Sequence, residues 1–249
     1  CYLGLWDIKR HPSPYLKPWP LILSCALEPW IGHGFHSPSI SHSMILPSIS
    51  FLFYAGGDFC IALVADHMRE FLGLVGAGLF AVGHVIFLVH GLLLSRSLTI
   101  PRPASRTTTS SSSLSISMAR FISVLLGLVS VACVVYVRLT CYVGSDSQTI
   151  AGLVYLSFQA IQIFSFSFFV PDPSVLLLMA CGEVMFCFSD CLLALTSDGC
   201  ISEWGGHFNN HVWVMLTYWA ATMLLSQSQL VALHKIKTIH TAKPSKKQQ

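Results

Sequence analysis

Long apolar runs alternate with short polar ones along the chain. A membrane-spanning helix needs about 20 mostly apolar residues. Seven runs approach that length: 16–30, 44–65, 71–94, 119–139, 150–170, 174–196 and 211–233. The first is short and broken by Pro18, Pro20 and Pro29, so it is expected to be re-entrant or half a helix. The pattern predicts an all-α fold, a polytopic transmembrane bundle of about seven helices. Residues 1–15 precede the bundle, 16–233 form it, and 234–249 make a basic tail. Between the third and fourth runs lies the linker 95–118, with Pro101, Pro103 and a Ser/Thr run from Thr107 to Ser113. Such a composition buries no core and predicts flexibility.

Composition supports the membrane reading. Of 249 residues, 53% are hydrophobic and 10% charged, and mean hydropathy is +0.66. Soluble domains are charged at about a quarter of their positions. So few charges cannot cover a soluble fold of this apolarity. The net charge of +3 matters through its distribution. Arg96, Arg102, Arg106 and Arg120 lie in or beside the linker, and Lys235, Lys237, Lys243, Lys246 and Lys247 in the tail. The opposite loops, 140–149 and 197–210, carry Asp146, Asp198 and Glu203 and no Lys or Arg. By the positive-inside rule the linker and tail are expected on the cytosolic side. Lys9, Arg10 and Lys17 fall on the other side in this scheme. The ending Lys246-Lys247-Gln248-Gln249 resembles a dilysine retrieval signal, which implies the endoplasmic reticulum, although a basic tail also meets anionic headgroups.

Several chemistries lack their signatures. The nine cysteines form no disulfide framework, and Cys187 and Cys191, four apart, have no second ligand pair, so no metal site is expected. There is no Gly-rich phosphate loop, no His-Glu-x-x-His helix and no Gly-x-Ser-x-Gly elbow. Nor is there a basic, aromatic-interleaved stripe for nucleic acid.

The candidate chemistry lies inside the apolar runs. Gly57-Asp58-Phe59-Cys60-Ile61-Ala62-Leu63 and Ser189-Asp190-Cys191-Leu192-Leu193-Ala194-Leu195 repeat one unit: a small residue, Asp, then an apolar run ending Ala-Leu. A carboxylate in such a segment needs a partner, a proton or a function. His84 and Glu183 are the other ionisable residues deep in predicted spans. Taken singly, each is as well explained as a satisfied bundle side chain. Together they can share one interior. Glu183 and Asp190 lie seven apart, on one helix face at about 10 Å. Ser189 is expected to support the adjacent Asp190 or to cap a polar pocket. A carboxyl kept from water can hold and deliver a proton at neutral pH. A second carboxylate can stabilise an oxocarbenium ion or orient water, as in glycosidases. The same pair can relay protons in a transporter, and the repeated unit fits the internal duplication common there.

Four elements in order resemble the YhhN-type membrane proteins, which include the lysoplasmalogenases. They are Lys17-Pro18-Trp19-Pro20; Gly57-Asp58 followed by His84-Val85-Ile86-Phe87; the block from Gly182 to Leu195 with Phe186, Ser189, Asp190, Ala194 and Leu195; and Met215-Leu216-Thr217-Tyr218-Trp219. The resemblance runs from about Lys17 to Ser226. Departures are Thr196 where the family has Asn, Thr222 where it has Gln, and Glu183 where it has a small residue. They bear on polar positioning in the site and leave an inactive member as an alternative. The family's first helix would lie upstream of Lys17, giving eight helices in all.

This resemblance implies hydrolysis of the vinyl-ether bond of lysoplasmalogens. A lysophospholipid would be the substrate and the bilayer its source. No cofactor is implied. Asp58 and Asp190 would be the acid and the stabilising or water-orienting carboxylate. His84, Ser189 and Tyr218 would position groups, and Lys17 would meet the substrate phosphate at the membrane edge.

Overall fold

A computed structural model describes residues 22–23, 38–62, 69–99, 111–140, 146–197 and 210–241. Among these residues there are six helices and no strand: α1 (Pro38–Ala62), α2 (Arg69–Leu98), α3 (Ser111–Thr140), α4 (Asp146–Phe169), α5 (Pro173–Ser197) and α6 (Asn210–Thr241). They correspond to the second through seventh predicted runs. Of the first run only Ile22 and Leu23 are described, both helical, so Lys17 lies outside the described residues. The predicted linker is shorter than expected at both ends. α2 continues to Leu98, and α3 begins inside the Ser/Thr run.

Among the described residues, three helices are long and apolar enough to cross a membrane: Phe71–Leu98, Ser115–Val137 and Pro173–Leu192. Their burial differs. The α5 window is 56% buried, against 28% for α2 and 22% for α3. The fifth helix is therefore the hub of the bundle, and the third turns most of its surface outward. The outward residues are apolar, among them Phe121, Leu125, Leu128, Phe168 and Met223. The interior holds the polar side chains Asp58, His84, His90, Gln159, Gln162 and Glu183. An apolar exterior around a polar interior is stable in lipid and unfavourable in water. This is consistent with an integral membrane protein.

The packing follows the chain. α1 lies on α2, α2 on α4, α4 on α3 and α5, α3 on α5, and α5 on α6, which returns to touch α2. Small residues permit the close approaches. A Cβ on Gly57 would lie 2.7 Å from the Phe80 ring, and one on Gly83 would lie 2.5 Å from the Tyr54 ring. These reciprocal contacts make α1 and α2 antiparallel. A Cβ on Gly182 would meet Leu225 at 2.7 Å, bringing α5 and α6 together.

One end of the bundle is fixed by polar ties. Ser95 donates to the Phe169 carbonyl at 2.5 Å, and Ser123 and Ser167 share a hydrogen bond of 2.6 Å. At the same end Asp172 caps α5. Its Oδ1 accepts from the backbone N–H of Ser174 and Val175, each at 3.1 Å, with Pro173 at the first helical position. Asp before Pro is a strong helix-start signal, because the carboxylate takes two orphan N–H groups and proline has none to lose. Lys235 of α6 reaches both Asp172 oxygens at 2.6 Å. Burial alone would raise the Asp172 pKa. Hydrogen bonds from Lys235, Ser174 and Val175, together with the lysine charge, outweigh burial and hold the carboxyl below its ordinary value.

Candidate functional site

Toward the opposite end, five helices turn polar or aromatic side chains to one place. α1 supplies Tyr54 and Asp58, and α2 supplies Phe80 and His84. α4 supplies Tyr155, Gln159 and Gln162, α5 supplies Glu183, Phe186 and Asp190, and α6 supplies Tyr218. On α4 the polar positions follow at steps of four and three, the spacing of one helix face.

The rings form one continuous cluster. Phe186 lies 5.3 Å from Tyr54, 5.3 Å from Tyr218 and 6.2 Å from His84. Tyr155 lies 5.3 Å from His84 and 5.4 Å from Phe80. These tilted and edge-on contacts suit the ring quadrupoles.

Both predicted aspartates border this cluster, each with its own phenol. Tyr218 donates its hydroxyl to Asp58 Oδ2, and Tyr155 donates to Asp190 Oδ2. Asp58 is 2% exposed and Asp190 is half-buried. The two aspartates are linked through shared rings: Tyr218 touches Phe186, which touches His84, which touches Tyr155. Gln159 steadies the second pair, its Nε2 donating to the Tyr155 oxygen at 2.8 Å.

A second chain of hydrogen bonds crosses the same cluster. The Tyr54 hydroxyl lies 2.9 Å from His84 Nδ1, and Gln162 Oε1 lies 2.8 Å from the same nitrogen. Gln162 Nε2 donates to Glu183 Oε1 at 2.7 Å. Glu183 Oε2 stands 3.6 Å from His84 Nδ1. Asp190 is within electrostatic reach of Glu183 and Tyr54. His84 and Glu183 are essentially sealed from the surface.

Of the residues expected from sequence, Asp58, His84, Asp190 and Tyr218 come together. Ser189 does not support Asp190: its hydroxyl donates to the Val214 carbonyl at 3.0 Å, tying α5 to α6. The reason is helical geometry, since adjacent residues point about 100° apart and cannot share a partner face. Thr222 donates to its own helix, at the Tyr218 carbonyl. Cys187 and Cys191 are unbridged. Among the described residues, no group of three His, Cys, Asp or Glu side chains is arranged to hold a metal ion.

Tyr54, Tyr155, Gln159 and Gln162 were not anticipated. The signal available for them was amides and phenols repeating at helical spacing inside an apolar run, where each needs a partner. A pair of phenol-bonded carboxyls beside a buried imidazole can deliver a proton, stabilise a cation and orient a hydroxyl.

No curated protein and no solved structure matches the chain. Residues 13–229 match the YhhN family, a span that takes in every residue of the cluster. The match covers most of the chain, and the protein belongs to the YhhN family.

Proposed function

We propose that the protein is an intramembrane hydrolase that cleaves the vinyl-ether bond of lysoplasmalogens, giving a fatty aldehyde and a glycerophospho-base. YhhN membership supports the reading. The observation that carries it is the pair of tyrosine–carboxyl bonds, Tyr218 to Asp58 and Tyr155 to Asp190, on one buried aromatic cluster. The exterior is apolar, so a single-chain lipid could reach the cluster from the bilayer.

Vinyl-ether hydrolysis needs few catalytic groups. One carboxyl protonates the β-carbon of the enol ether: the C=C π pair takes the proton, leaving an oxocarbenium ion at the α-carbon and a carboxylate. The second carboxylate stabilises that cation and orients water. Water adds at the α-carbon and loses a proton, giving a hemiacetal. The hemiacetal collapses with proton transfer to the glycerol oxygen, releasing aldehyde and alcohol. One water is consumed and the starting carboxyl is regenerated. Asp58 and Asp190 share the acid and stabilising roles. Tyr218 and Tyr155 hold them in orientation, and His84 touches the substrate and helps to place it. Ser189 keeps α5 seated on α6 beside Asp190. Lys17 would meet the phosphate at the membrane edge. The same reading gives a seven-helix chain including 16–30, with the basic linker and tail cytosolic and residence in the endoplasmic reticulum.

The test is aldehyde release from a vinyl-ether lysolipid by membranes carrying the chain. Wild type should turn over, and Asp58→Asn and Asp190→Asn should each lose activity. Wild type without aldehyde, or both variants equal to it, would overturn the proposal. The Tyr54–His84–Gln162–Glu183 chain favours one rival, a proton-coupled carrier. Solute accumulation in sealed vesicles under a pH gradient, without aldehyde, would identify it.

A further inference from the structure

The polar chain through His84 has a direction set by chemistry. The Gln162 amide NH2 donates to Glu183 Oε1 at 2.7 Å. That leaves the Gln162 carbonyl oxygen against His84 Nδ1 at 2.8 Å. A carbonyl only accepts, so Nδ1 carries the proton. The Tyr54 oxygen, 2.9 Å away, takes the same N–H as a second acceptor. In the neutral ring Nε2 then presents a lone pair.

That nitrogen is buried and, among the described residues, has no hydrogen-bond partner. The Tyr54, Tyr155 and Phe186 rings pack against the His84 ring. Two other buried atoms of this region share the condition, Gln159 Oε1 and Glu183 Oε2. An orphaned buried polar atom costs about 1–3 kcal/mol. With the ring proton on Nδ1, His84 Nε2 can only accept, as can the Gln159 carbonyl oxygen, so each calls for a donor.

We propose that Glu183, acting through Gln162, holds His84 in its Nδ1–H form so that Nε2 accepts a hydrogen bond from an O–H donor. This rests on the hydrolase reading, which supplies two such donors, the attacking water and the glycerol hydroxyl of the lysolipid. Glu183 and Gln162 are positioning residues; His84 is the group that touches the ligand.

The experiment reads the tautomer and the turnover separately. The chain, with its 11 histidines labelled with 15N, is reconstituted in lipid, and His84→Gln identifies the ring by loss of its signals. Wild type should show Nδ1 protonated. Glu183→Met keeps the volume but removes the acceptor, freeing the Gln162 amide to turn its NH2 toward Nδ1. The proton should then move to Nε2. Glu183→Gln restores a carbonyl acceptor and should restore the wild-type spectrum. Gln162→Leu breaks the same link and serves if Glu183→Met fails to fold. In the aldehyde assay Glu183→Met should fall roughly 10²-fold, the scale of losing a general acid–base group, with Glu183→Gln largely rescued.

A loss confined to kcat identifies water as the donor. A rise in KM that is absent for an O-methylated lysolipid identifies the glycerol hydroxyl. An unchanged tautomer in both disrupting variants, or no rescue by Glu183→Gln, overturns the proposal. Wild type without aldehyde overturns the hydrolase reading instead, and the nitrogen spectrum then decides the tautomer by itself.

Discussion

Tyr218 of α6 donates a hydrogen bond to Asp58 of α1, joining residues 160 positions apart in the chain. α1 packs mainly on α2, and α6 mainly on α5, so this bond bridges two parts of the bundle that backbone packing alone holds weakly together. Removing the hydroxyl leaves a carboxyl buried at 2% exposure without its phenol. Removing one partner of a buried polar group costs about 1–3 kcal/mol. Tyr218→Phe should therefore lower aldehyde release by about tenfold to hundredfold while the helical content holds. Circular dichroism on the assayed sample checks the second half.

Tyr155 makes the matching bond to Asp190. If both phenol–carboxyl pairs serve one reaction, their removal should not add. Groups that act as a unit lose most of their effect at the first deletion. Tyr155→Phe and Tyr218→Phe should each cost about tenfold or more, and the double variant much less than the product. Multiplicative losses in kcat/KM would mean two independent sites.

The sequence made the costly groups visible and hid their partners. Asp58, His84, Glu183 and Asp190 stood out because an ionisable side chain in an apolar helix demands an explanation. Tyr155, Gln159 and Gln162 are uncharged, and such residues are ordinary in membrane helices, so only their helical spacing marked the shared face. Ser189 misled because adjacency in sequence is divergence on a helix. The helices themselves were legible from apolar length. Their ends were not: α3 begins within a Ser/Thr run that composition reads as flexible, and α6 carries Lys235 past the apolar stretch to meet Asp172. That last contact depends on two distant helix ends converging, which no local pattern encodes.

Two glycines of α2 should respond oppositely to the same substitution. A methyl on Gly83 would stand 2.5 Å from the Tyr54 ring and 3.2 Å from the Ser50 carbonyl oxygen. The ring is packed against His84 and Phe186, so it yields only by separating α1 from α2. Overpacking costs about 1–3 kcal/mol, which exceeds the gain of up to about 1 kcal/mol from replacing a helical glycine. Gly78 has nothing within 4 Å of the added carbon. Gly83→Ala should lower the thermal midpoint in detergent, and Gly78→Ala should raise it slightly.

Acid should weaken the polar end of the bundle before the core. The Asp172 carboxyl sits below its ordinary value of 3.8, because hydrogen bonds and the Lys235 charge outweigh burial. A group depressed in the folded state contributes stability that is complete above its unfolded value and is lost as pH falls through the folded one. The contribution is thus constant near neutrality and declines below about pH 4. The pair is partly exposed, at 36% for Lys235 and 21% for Asp172, so solvent and salt screen it and the lysine adds little. The helix cap matters more. Asp172→Ala should cost roughly 1 kcal/mol at pH 7, and Asp172→Asn, which keeps a capping oxygen, considerably less. Thermal unfolding of wild type should show an acid decline that both variants flatten. A wild-type curve that declines no more steeply than Asp172→Ala would show that the carboxylate does not stabilise the fold.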